Sequence, residues 1–430
     1  MKTRELTAWL LLAVLVLLVA CAAPLAPVQE AVAPTATQVL VATPQPTATP
    51  IATPQVLTAN ITEGGVESFD ERVDYFPEKV VLKYSEGWEV EYHNNYKVIR
   101  VLNPWRDATE TFVYVLVQRG TPKPDGYEGA YFIEVPIETI ITMSTTYLPH
   151  LDILGVLDRL IGIDGIKYVN NETVRKMFAE GRLVEIGSGA EVNVEAVLDL
   201  GPDVVMTYAV GSPDYDAHPK LVEAGITTVL NAEYMETSPL GRAEWIKFTA
   251  MFFNLEGKAN AAFEEIAQQY EEMAAKAREV TERPTVFCGT PYQNVWYMPG
   301  GRSYVARLLA DAGADYLWSD DESTGSIPLD FETVFARAVD ADYWINTGQW
   351  KSIDEALAAD ERFADFAALK NQKMYNNNAR LNEAGGNDYW ESGVVKPHLV
   401  LADLIKIFHP ELVPGHEFIY YRKLDPPTKK

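Results

Sequence analysis

Residues 193–208 read NVEAVLDLGPDVVMTY and residues 330–347 read DFETVFARAVDADYWINT, and these two related stretches decide the fold. In each, a glutamate opens an amphipathic helical pattern, and an aspartate precedes a short apolar run that ends in a polar residue. A helix that leads directly into a buried strand is typical of a parallel α/β sheet. The repetition predicts two lobes of related design, although any helix-to-strand unit of an α/β protein shares part of this pattern.

Strands and helices alternate on both sides of these stretches. Short apolar runs predict strands at residues 98–102, 112–117, 138–143, 161–163, 203–208, 227–230, 285–288 and 316–318. Helical spacing predicts helices at residues 147–160, 192–200, 303–312 and 241–281, the last of them broken at 254–257. We therefore expect an α/β fold of two lobes, residues 63–257 and 282–430, each with a mainly parallel sheet flanked by helices. One long rigid helix, residues 258–281, is predicted to join them.

The first sixty residues predict export and anchoring. Lys2 and Arg4 precede a short apolar run that ends in Leu-Val-Ala before Cys21, which is the pattern of a signal peptide over residues 1–20. Cys21 in that position indicates a lipidated cysteine, the alternative being an ordinary cleaved signal peptide with an incidental cysteine. Residues 21–62 are rich in Pro and Thr and nearly uncharged, which is typical of an extended tether. We expect a lipid-anchored, extracytoplasmic protein at the cell membrane, on the cell surface or in the periplasm.

Composition excludes several classes of partner and chemistry. The net charge of −25 argues against binding to nucleic acid or to anionic lipid. With Cys21 assigned to the anchor, Cys288 is alone and reads as the end of a buried strand. No nucleophile elbow, phosphate-binding loop or zinc-protease motif is present, and no His, Cys or carboxylate cluster has metal-ligand spacing. We expect a monomer that is not an enzyme, with no metal site and no resident cofactor.

The residues that follow the predicted strands indicate a small-molecule site. An open parallel sheet binds its ligands beyond the carboxyl ends of its strands. Those positions are rich in aromatic, hydroxyl, amide and arginine side chains, which is the composition of a ligand pocket. Core packing is the alternative for any one of the aromatic residues. The candidate ligand-binding residues are Thr145, Tyr147, Tyr208, Tyr234, Arg242, Trp296, Tyr297, Arg302, Arg380, Asn387, Tyr389 and Trp390.

Four motifs carry a resemblance to a known family. They are residues 140–155 (IITMSTTYLPHLDILG), 192–205 (VNVEAVLDLGPDVV), 238–245 (SPLGRAEW) and 386–392 (GNDYWES). Over about residues 90–425 the chain resembles the helical-backbone class of ABC-importer binding proteins, which bind ferric siderophores and cobalamin. The resemblance implies that a ligand is held between the lobes with modest closure. The segment 61–135 is longer than the family pattern, and its role in shaping the pocket is open.

The resemblance also implies a partner and a cargo. It implies that one surface glutamate on each lobe docks to an ABC permease. The internal repeat makes Glu195 and Glu332 the candidates, although each could simply stabilise the N-terminus of its helix. The predicted ligand is a ferric siderophore-like chelate, held by stacking on Trp296, Tyr297, Tyr389 and Trp390 and by the arginines. A corrinoid is the alternative ligand.

Two functions of other classes are weighed against transport. A surface enzyme with a metal cluster would use a similar two-lobed frame, but it would need more cysteines than Cys288. A stalked surface-binding module that is not coupled to transport would favour all-β repeats. The alternation of strands and helices favours the solute-binding protein.

Overall fold

The computed structural model of the protein describes residues 56–428. The predicted signal peptide, Cys21 and the part of the predicted tether up to residue 55 lie outside the described residues. Within residues 56–428, no helix has the length and apolar character needed to cross a membrane.

A four-stranded sheet, which we term the extension sheet, precedes the first lobe. Its strands are β1 (Trp88–Tyr92), β2 (Tyr96–Val101), β3 (Phe112–Gln118) and β4 (Tyr131–Val135), in the order β1-β2-β3-β4. The first three strands are antiparallel, and β4 runs parallel to β3. The strands predicted at 98–102 and 112–117 are confirmed as β2 and β3.

The N-terminal lobe is built on a five-stranded parallel sheet. Its strands are β5 (Ile140–Thr142), β6 (Leu160–Ile163), β7 (Val184–Glu185), β8 (Val204–Thr207) and β9 (Thr228–Leu230), in the order β7-β6-β5-β8-β9. Its helices are α1 (Leu148–Leu154), α2 (Glu172–Ala179), α3 (Val194–Leu200), α4 (His218–Glu223) and α5 (Pro239–Met251). Because every residue of β5 and β8 is buried, these strands read as continuous apolar runs in the sequence.

After α6 (Glu256–Arg278), the C-terminal lobe repeats this design. Its strands are β10 (Thr285–Cys288), β11 (Pro291–Tyr292), β12 (Val295–Pro299), β13 (Asp315–Tyr316), β14 (Ser326–Leu329), β15 (Tyr343–Ile345), β16 (Met374–Asn376) and β17 (Arg422–Lys423). Its helices are α7 (Tyr304–Asp311), α8 (Phe331–Ala338), α9 (Ile353–Ala359), α10 (Ala367–Lys370), α11 (Ser392–Val395) and α12 (Pro397–Phe408). The main sheet has the order β13-β10-β15-β16-β17, with only β17 antiparallel, and β11-β12-β14 form a small antiparallel sheet.

The two predicted repeats occupy equivalent places. The first forms α3 and β8, and β8 lies beside the opening strand β5 of its sheet. The second forms α8 and β15, and β15 lies beside the opening strand β10. Asn193 and Asp330 cap the two helices by accepting the N–H of Ala196 and Thr333. The α/β fold of two lobes with one long connecting helix is confirmed.

Helices of both lobes share one apolar core. Leu240 and Ile246 of α5 lie in the same buried cluster as Phe263 of α6, Leu309 of α7 and Leu401 of α12. Packing of this kind leaves few voids and resists independent movement of its parts. The lobes are therefore joined through a common interior as well as through the chain.

Buried charges attach the extension sheet to the N-terminal lobe. The Glu244 carboxylate accepts the backbone N–H of Tyr84 at 2.8 Å and of Ser85 at 2.9 Å, and it pairs with Lys247 at 2.8 Å. Lys97 of β2 forms a buried ion pair with Glu256 at the start of α6, and burial lowers the pKa of the lysine. The extension sheet is thereby an integral part of the lobe.

Two local predictions differ from the structure in their bounds. The helix predicted over 147–160 ends at Leu154, because Gly155 adopts the left-handed conformation that terminates helices. The strand predicted at 316–318 is confined to Asp315–Tyr316. Several further elements were not predicted, among them α2, β7 and α12.

Candidate functional site

A cavity of about 610 Å³, the interlobe cavity, lies between the two lobes. Val210 and residues 234–237 line it from the N-terminal lobe, and Pro299, residues 303–305 and residues 324–326 line it from the C-terminal lobe. Asn103 and residues 105–108, in the loop between β2 and β3, form a third wall. The extension sheet therefore helps to shape the pocket, a question that the sequence left open.

A second cavity, of about 720 Å³, adjoins the first at Pro299 and Val305, and we term it the C-lobe cavity. Gly289, Asn346 and Asn377 line it, and each directly follows a strand of the main C-terminal sheet. Tyr168 reaches it from the N-terminal lobe. The two cavities thus form one cleft at the carboxyl ends of parallel strands, which is where open α/β sheets bind their ligands.

The structure brings four of the candidate residues into this cleft. Tyr297, Asn387 and Trp390 line the C-lobe cavity, and Tyr234 lines the interlobe cavity. Tyr297 is 52% exposed and Trp390 is 45% exposed, so both present aromatic surface to the cavity. Their role as stacking surfaces remains a prediction.

Thr145 and Tyr208 follow strands of the N-terminal sheet but line neither cavity. Thr145 is half-buried after β5, and Tyr208 is exposed after β8. Burial raises the pKa of Tyr208, and the nearby Asp164 and Asp216 carboxylates raise it further. Both residues lie beyond the carboxyl ends of their strands, and their ligand contact stays a prediction.

Three aromatic residues that were predicted to meet the ligand lie in the core. Tyr147 is buried, and its hydroxyl donates to the Asn231 carbonyl at 2.8 Å. Trp296 is wholly buried, and its indole N–H donates to the Cys288 carbonyl at 2.8 Å. Tyr389 is buried with its ring edge-on to Trp390, at 4.7 Å between centroids. The predicted stacking of Trp296 and Tyr389 on a ligand is wrong, because both rings are buried, and burial likewise contradicts the ligand contact predicted for Tyr147. Tyr389 instead supports the exposed ring of Trp390.

The three predicted arginines are all paired with carboxylates. Arg242 is buried and its Nε donates to Glu233, while the Tyr304 ring centroid lies 5.3 Å from its Cζ atom. The predicted contact between Arg242 and an anionic ligand is wrong, because Glu233 already neutralises it inside the protein. Arg302 lies 3.0 Å from Glu322 and Arg380 lies 2.6 Å from Asp388, and both arginines are exposed. For these two, contact with a ligand remains a prediction.

Burial shifts the proton affinity of several groups near the cleft. It raises the pKa of Asp164, after β6, to about 6, and it raises the pKa of Tyr304 to about 12 against the opposing charge of Arg242. His150 is buried and hydrogen-bonded to Thr249 Oγ1, and burial lowers its pKa to about 3. Among residues 56–428, no group of three or more His, Cys, Asp or Glu side chains is arranged to hold a metal ion.

Beside the C-lobe cavity, hydrogen bonds tie the two lobes together. The Glu391 carboxylate accepts the backbone N–H of Asn170 at 2.6 Å and of Asn171 at 2.7 Å. The Asn382 amide donates to the carbonyls of Lys167 and Val169, both at 3.1 Å. These contacts hold Tyr168 against the second lobe at the wall of the cleft.

Several residues of the cleft escaped the sequence-based prediction. Trp105 and Arg106 line the interlobe cavity from the extension loop, and Tyr304 lines it from the first turn of α7. The Asn-Pro-Trp sequence between two strands was the available signal, since a tryptophan in a polar turn rarely lacks a packing partner. Nothing in the sequence indicated that this turn reaches the cleft.

The predicted docking glutamates occupy matching positions on the surface. Glu195 and Glu332 lie in the first turns of α3 and α8, and both are exposed. Glu332 lies 3.6 Å from Arg362. Their matching positions follow from the repeat, and permease docking remains a prediction.

A two-lobed α/β frame with a cleft at the strand ends is typical of solute-binding proteins. Residues 140–381 match the model of the periplasmic binding protein family, and the chain belongs to that family. It is 28% identical over 367 residues to an uncharacterized lipoprotein of Methanocaldococcus jannaschii, across 80% of this chain and 85% of that protein.

Solved structures share the fold. One is a Staphylococcus epidermidis protein described as possibly iron-binding and periplasmic solute-binding (TM-score 0.50, 17% identity, 63% of this chain and 98% of that chain). Another is Helicobacter pylori CeuE with Ni(II) bound (TM-score 0.50, 19% identity, 69% of this chain and 92% of that chain). The family match begins at Ile140, so the extension sheet lies ahead of it.

Proposed function

We propose that this chain is the extracytoplasmic binding component of an ABC importer and that it captures a ferric siderophore-like chelate in the cleft. The observation that carries the proposal is the cleft itself, lined from both lobes and displaying Tyr234, Tyr297 and Trp390. Exposed aromatic rings suit the flat, unsaturated metal-binding groups of such chelates. The iron- and nickel-related descriptions of the two proteins of similar fold are in keeping with a metal-containing cargo.

The remaining predictions complete this proposal. Lipid on Cys21 would anchor the protein outside the cytoplasm, with residues 21–62 as the tether and the two lobes beyond it. The lipoprotein description of the archaeal relative supports such an anchor. Glu195 and Glu332 would meet the permease, one from each lobe.

Native mass spectrometry tests the cargo. The protein is purified from iron-limited and from iron-replete cells, and we expect an added mass with an iron isotope pattern in the iron-limited sample. Quenching of tryptophan fluorescence by a panel of ferric chelates then ranks affinity, since Trp105 and Trp390 line the cleft. A corrinoid mass would favour the alternative ligand. No bound small molecule and no quenching by any chelate would contradict the proposal.

Transport assays test the docking role. Charge reversal by Glu195→Arg and Glu332→Arg should abolish uptake while leaving chelate affinity unchanged. Glu223→Arg, an exposed change at the end of α4, is the control and should leave uptake intact. Normal uptake by the double variant would show that these glutamates only stabilise their helices.

A further inference from the structure

The loop that joins β2 and β3 is anchored on the N-terminal lobe by Trp105. The Trp105 ring lies 5.9 Å from Phe112 and 5.9 Å from His218, measured between ring centroids. Gly211 makes room for it, because a Cβ atom at that position would collide with the indole. The loop therefore has a fixed base from which its next residue projects.

Arg106 extends from this base across the interlobe cavity. Its guanidinium lies against Gly325 of the C-terminal lobe, where any Cβ atom would clash with it. On the N-terminal side, its positive charge opposes the rise in the pKa of Tyr234, which burial raises to about 12. The guanidinium thus lies between Tyr234 of one lobe and Gly325 of the other.

Arg106 differs from the three arginines predicted to meet the ligand in having no carboxylate partner. Arg242, Arg302 and Arg380 are each paired with a carboxylate. Arg106 forms no ion pair or hydrogen bond with another residue of the range 56–428, and it is the one cation among the residues described as lining the interlobe cavity. An exposed guanidinium beside a cavity has five donors available for an incoming anion.

The nearby carboxylates do not form an ion pair with Arg106. Glu236 lines the same cavity, but its carboxylate accepts from the Trp245 indole at 2.9 Å and from the backbone N–H of Gly87 at 3.0 Å. Asp107 is exposed, and its carboxylate lies beyond ion-pair distance of the Arg106 guanidinium. In a chain with a net charge of −25, a local cation favours the binding of an anionic ligand.

We propose that Arg106 binds an anionic oxygen group of the ligand and selects anionic chelates over uncharged ones. Ser303, Thr324 and Ser326 line the same cavity and supply hydroxyl donors for further oxygens of that group. The extension sheet, which lies ahead of the family match, would then serve as a specificity element. This inference rests on the proposed function, because the ligand is taken to be a chelate held in the cleft.

The test compares two ferric complexes on the full chain. Affinities for an anionic ferric tris-catecholate and for an uncharged ferric trihydroxamate are measured by fluorescence quenching, for the wild-type protein and for Arg106→Gln. We expect the variant to bind the catecholate roughly ten- to hundred-fold more weakly, the range for loss of a hydrogen bond to a charged group. Binding of the trihydroxamate, whether weak or strong, should be unchanged.

A matched variant controls for net charge. Arg100→Gln removes the same charge from the extension sheet, at a position where Arg100 pairs with Glu89 at 3.4 Å outside the cleft, and it should bind both chelates as the wild type does. Equal catecholate affinity of Arg106→Gln and wild type would overturn the inference while leaving the proposed function intact.

A wild-type protein that binds neither chelate contradicts the proposed cargo instead. The same variants are then titrated with iron-free citrate by calorimetry. If the wild type and Arg100→Gln bind citrate and Arg106→Gln does not, the proposed anion site at Arg106 is supported. Absent citrate binding, or binding that the substitution leaves unchanged, would overturn it.

Discussion

Arg242 and Glu233 neutralise each other in the interior, with side chains 10% and 3% exposed. Removing one member of a buried pair leaves an uncompensated charge, which typically costs about 3–5 kcal/mol. Arg242→Met should therefore lower the free energy of unfolding by about 3–5 kcal/mol in urea titrations. Arg302→Met breaks the exposed pair with Glu322 and should cost about 1 kcal/mol or less. Equal losses in the two variants would contradict a stabilising role for the buried pair.

Neighbouring residues show why the site was only partly predictable. Trp296 and Tyr297 are adjacent in β12, so strand alternation predicts that one is buried and the other exposed. Which of them faces the core depends on tertiary contacts, and the rings that surround Trp296 include Trp344, Phe363 and Phe366, which are distant in sequence. The partner of Arg242 was equally hidden, because several carboxylates lie within reach of any arginine in the sequence. The ends of the predicted strands therefore indicated where the site lies. Which side chains line it depends on tertiary packing, which the sequence alone does not show.

Glu391 makes stability depend on pH. Burial raises its pKa from 4.5 to about 7, although the N–H groups of Asn170 and Asn171 oppose the rise. Because the folded state holds this proton more tightly than the unfolded chain, its contribution favours folding at low pH and is lost as the pH rises from about 4.5 to about 7. The shift corresponds to at most about 3 kcal/mol.

Urea midpoints between pH 5 and pH 8 measure this effect. The wild-type protein should lose stability over that interval, and Glu391→Gln should remove most of the slope. Asp164→Asn is the control, because the pKa of Asp164 is also raised, but only to about 6. In this variant the loss of stability with rising pH should remain near pH 7. An unchanged slope in Glu391→Gln would assign the effect to other groups.

At the scale of elements, the repeated helix-strand unit was the most predictable feature. Continuous apolar strands and capped helices are local properties, so β5, β8, β10 and β15 could be placed from the sequence alone. The strand β7 could not be placed, because its two residues Val184 and Glu185 are both exposed and form no apolar run. The extension loop was visible as a turn between strands, but its position against Gly325 depends on how the two lobes pack.

The attachment of the extension sheet to α5 depends on Glu244. Its buried carboxylate binds the backbone N–H groups of residues 83–85, and it neutralises Lys247. In Glu244→Gln the buried lysine loses its counter-charge, and we expect a loss of about 3 kcal/mol or more. Hydrogen exchange should accelerate at the amides of residues 83–85.

Glu264→Gln provides the matched control for that experiment. Glu264 is exposed and lies 3.2 Å from the Lys83 ammonium, so its removal weakens only a surface contact to the same segment. Exchange at residues 83–85 should then match the wild type. Faster hydrogen exchange at residues 83–85 in both variants would show that surface charge holds the segment as much as the buried Glu244 carboxylate does.

At the scale of the whole molecule, two separate connections restrain the lobes. Helices α5, α6, α7 and α12 share one core, and Glu391 and Asn382 bind residues 167–171 of the N-terminal lobe. A hinge that opened widely would have to break these hydrogen bonds and expose apolar surface of the shared core. We therefore expect ligand binding with little movement of one lobe relative to the other.

Spin labels on the two repeated helices measure this movement. Leu198→Cys on α3 and Ala336→Cys on α8 place labels at exposed positions, and the buried Cys288 should not react. The distance between the labels should change by about 1 Å or less when a saturating ferric chelate is added, as in other preorganised complexes. Combining Glu391→Gln with Asn382→Ala should broaden the distance distribution, because it removes the side-chain ties beside the cleft. A shift of several ångströms in the protein with intact ties would mean that those hydrogen bonds break on binding, and the cleft would then close around its ligand by a hinge.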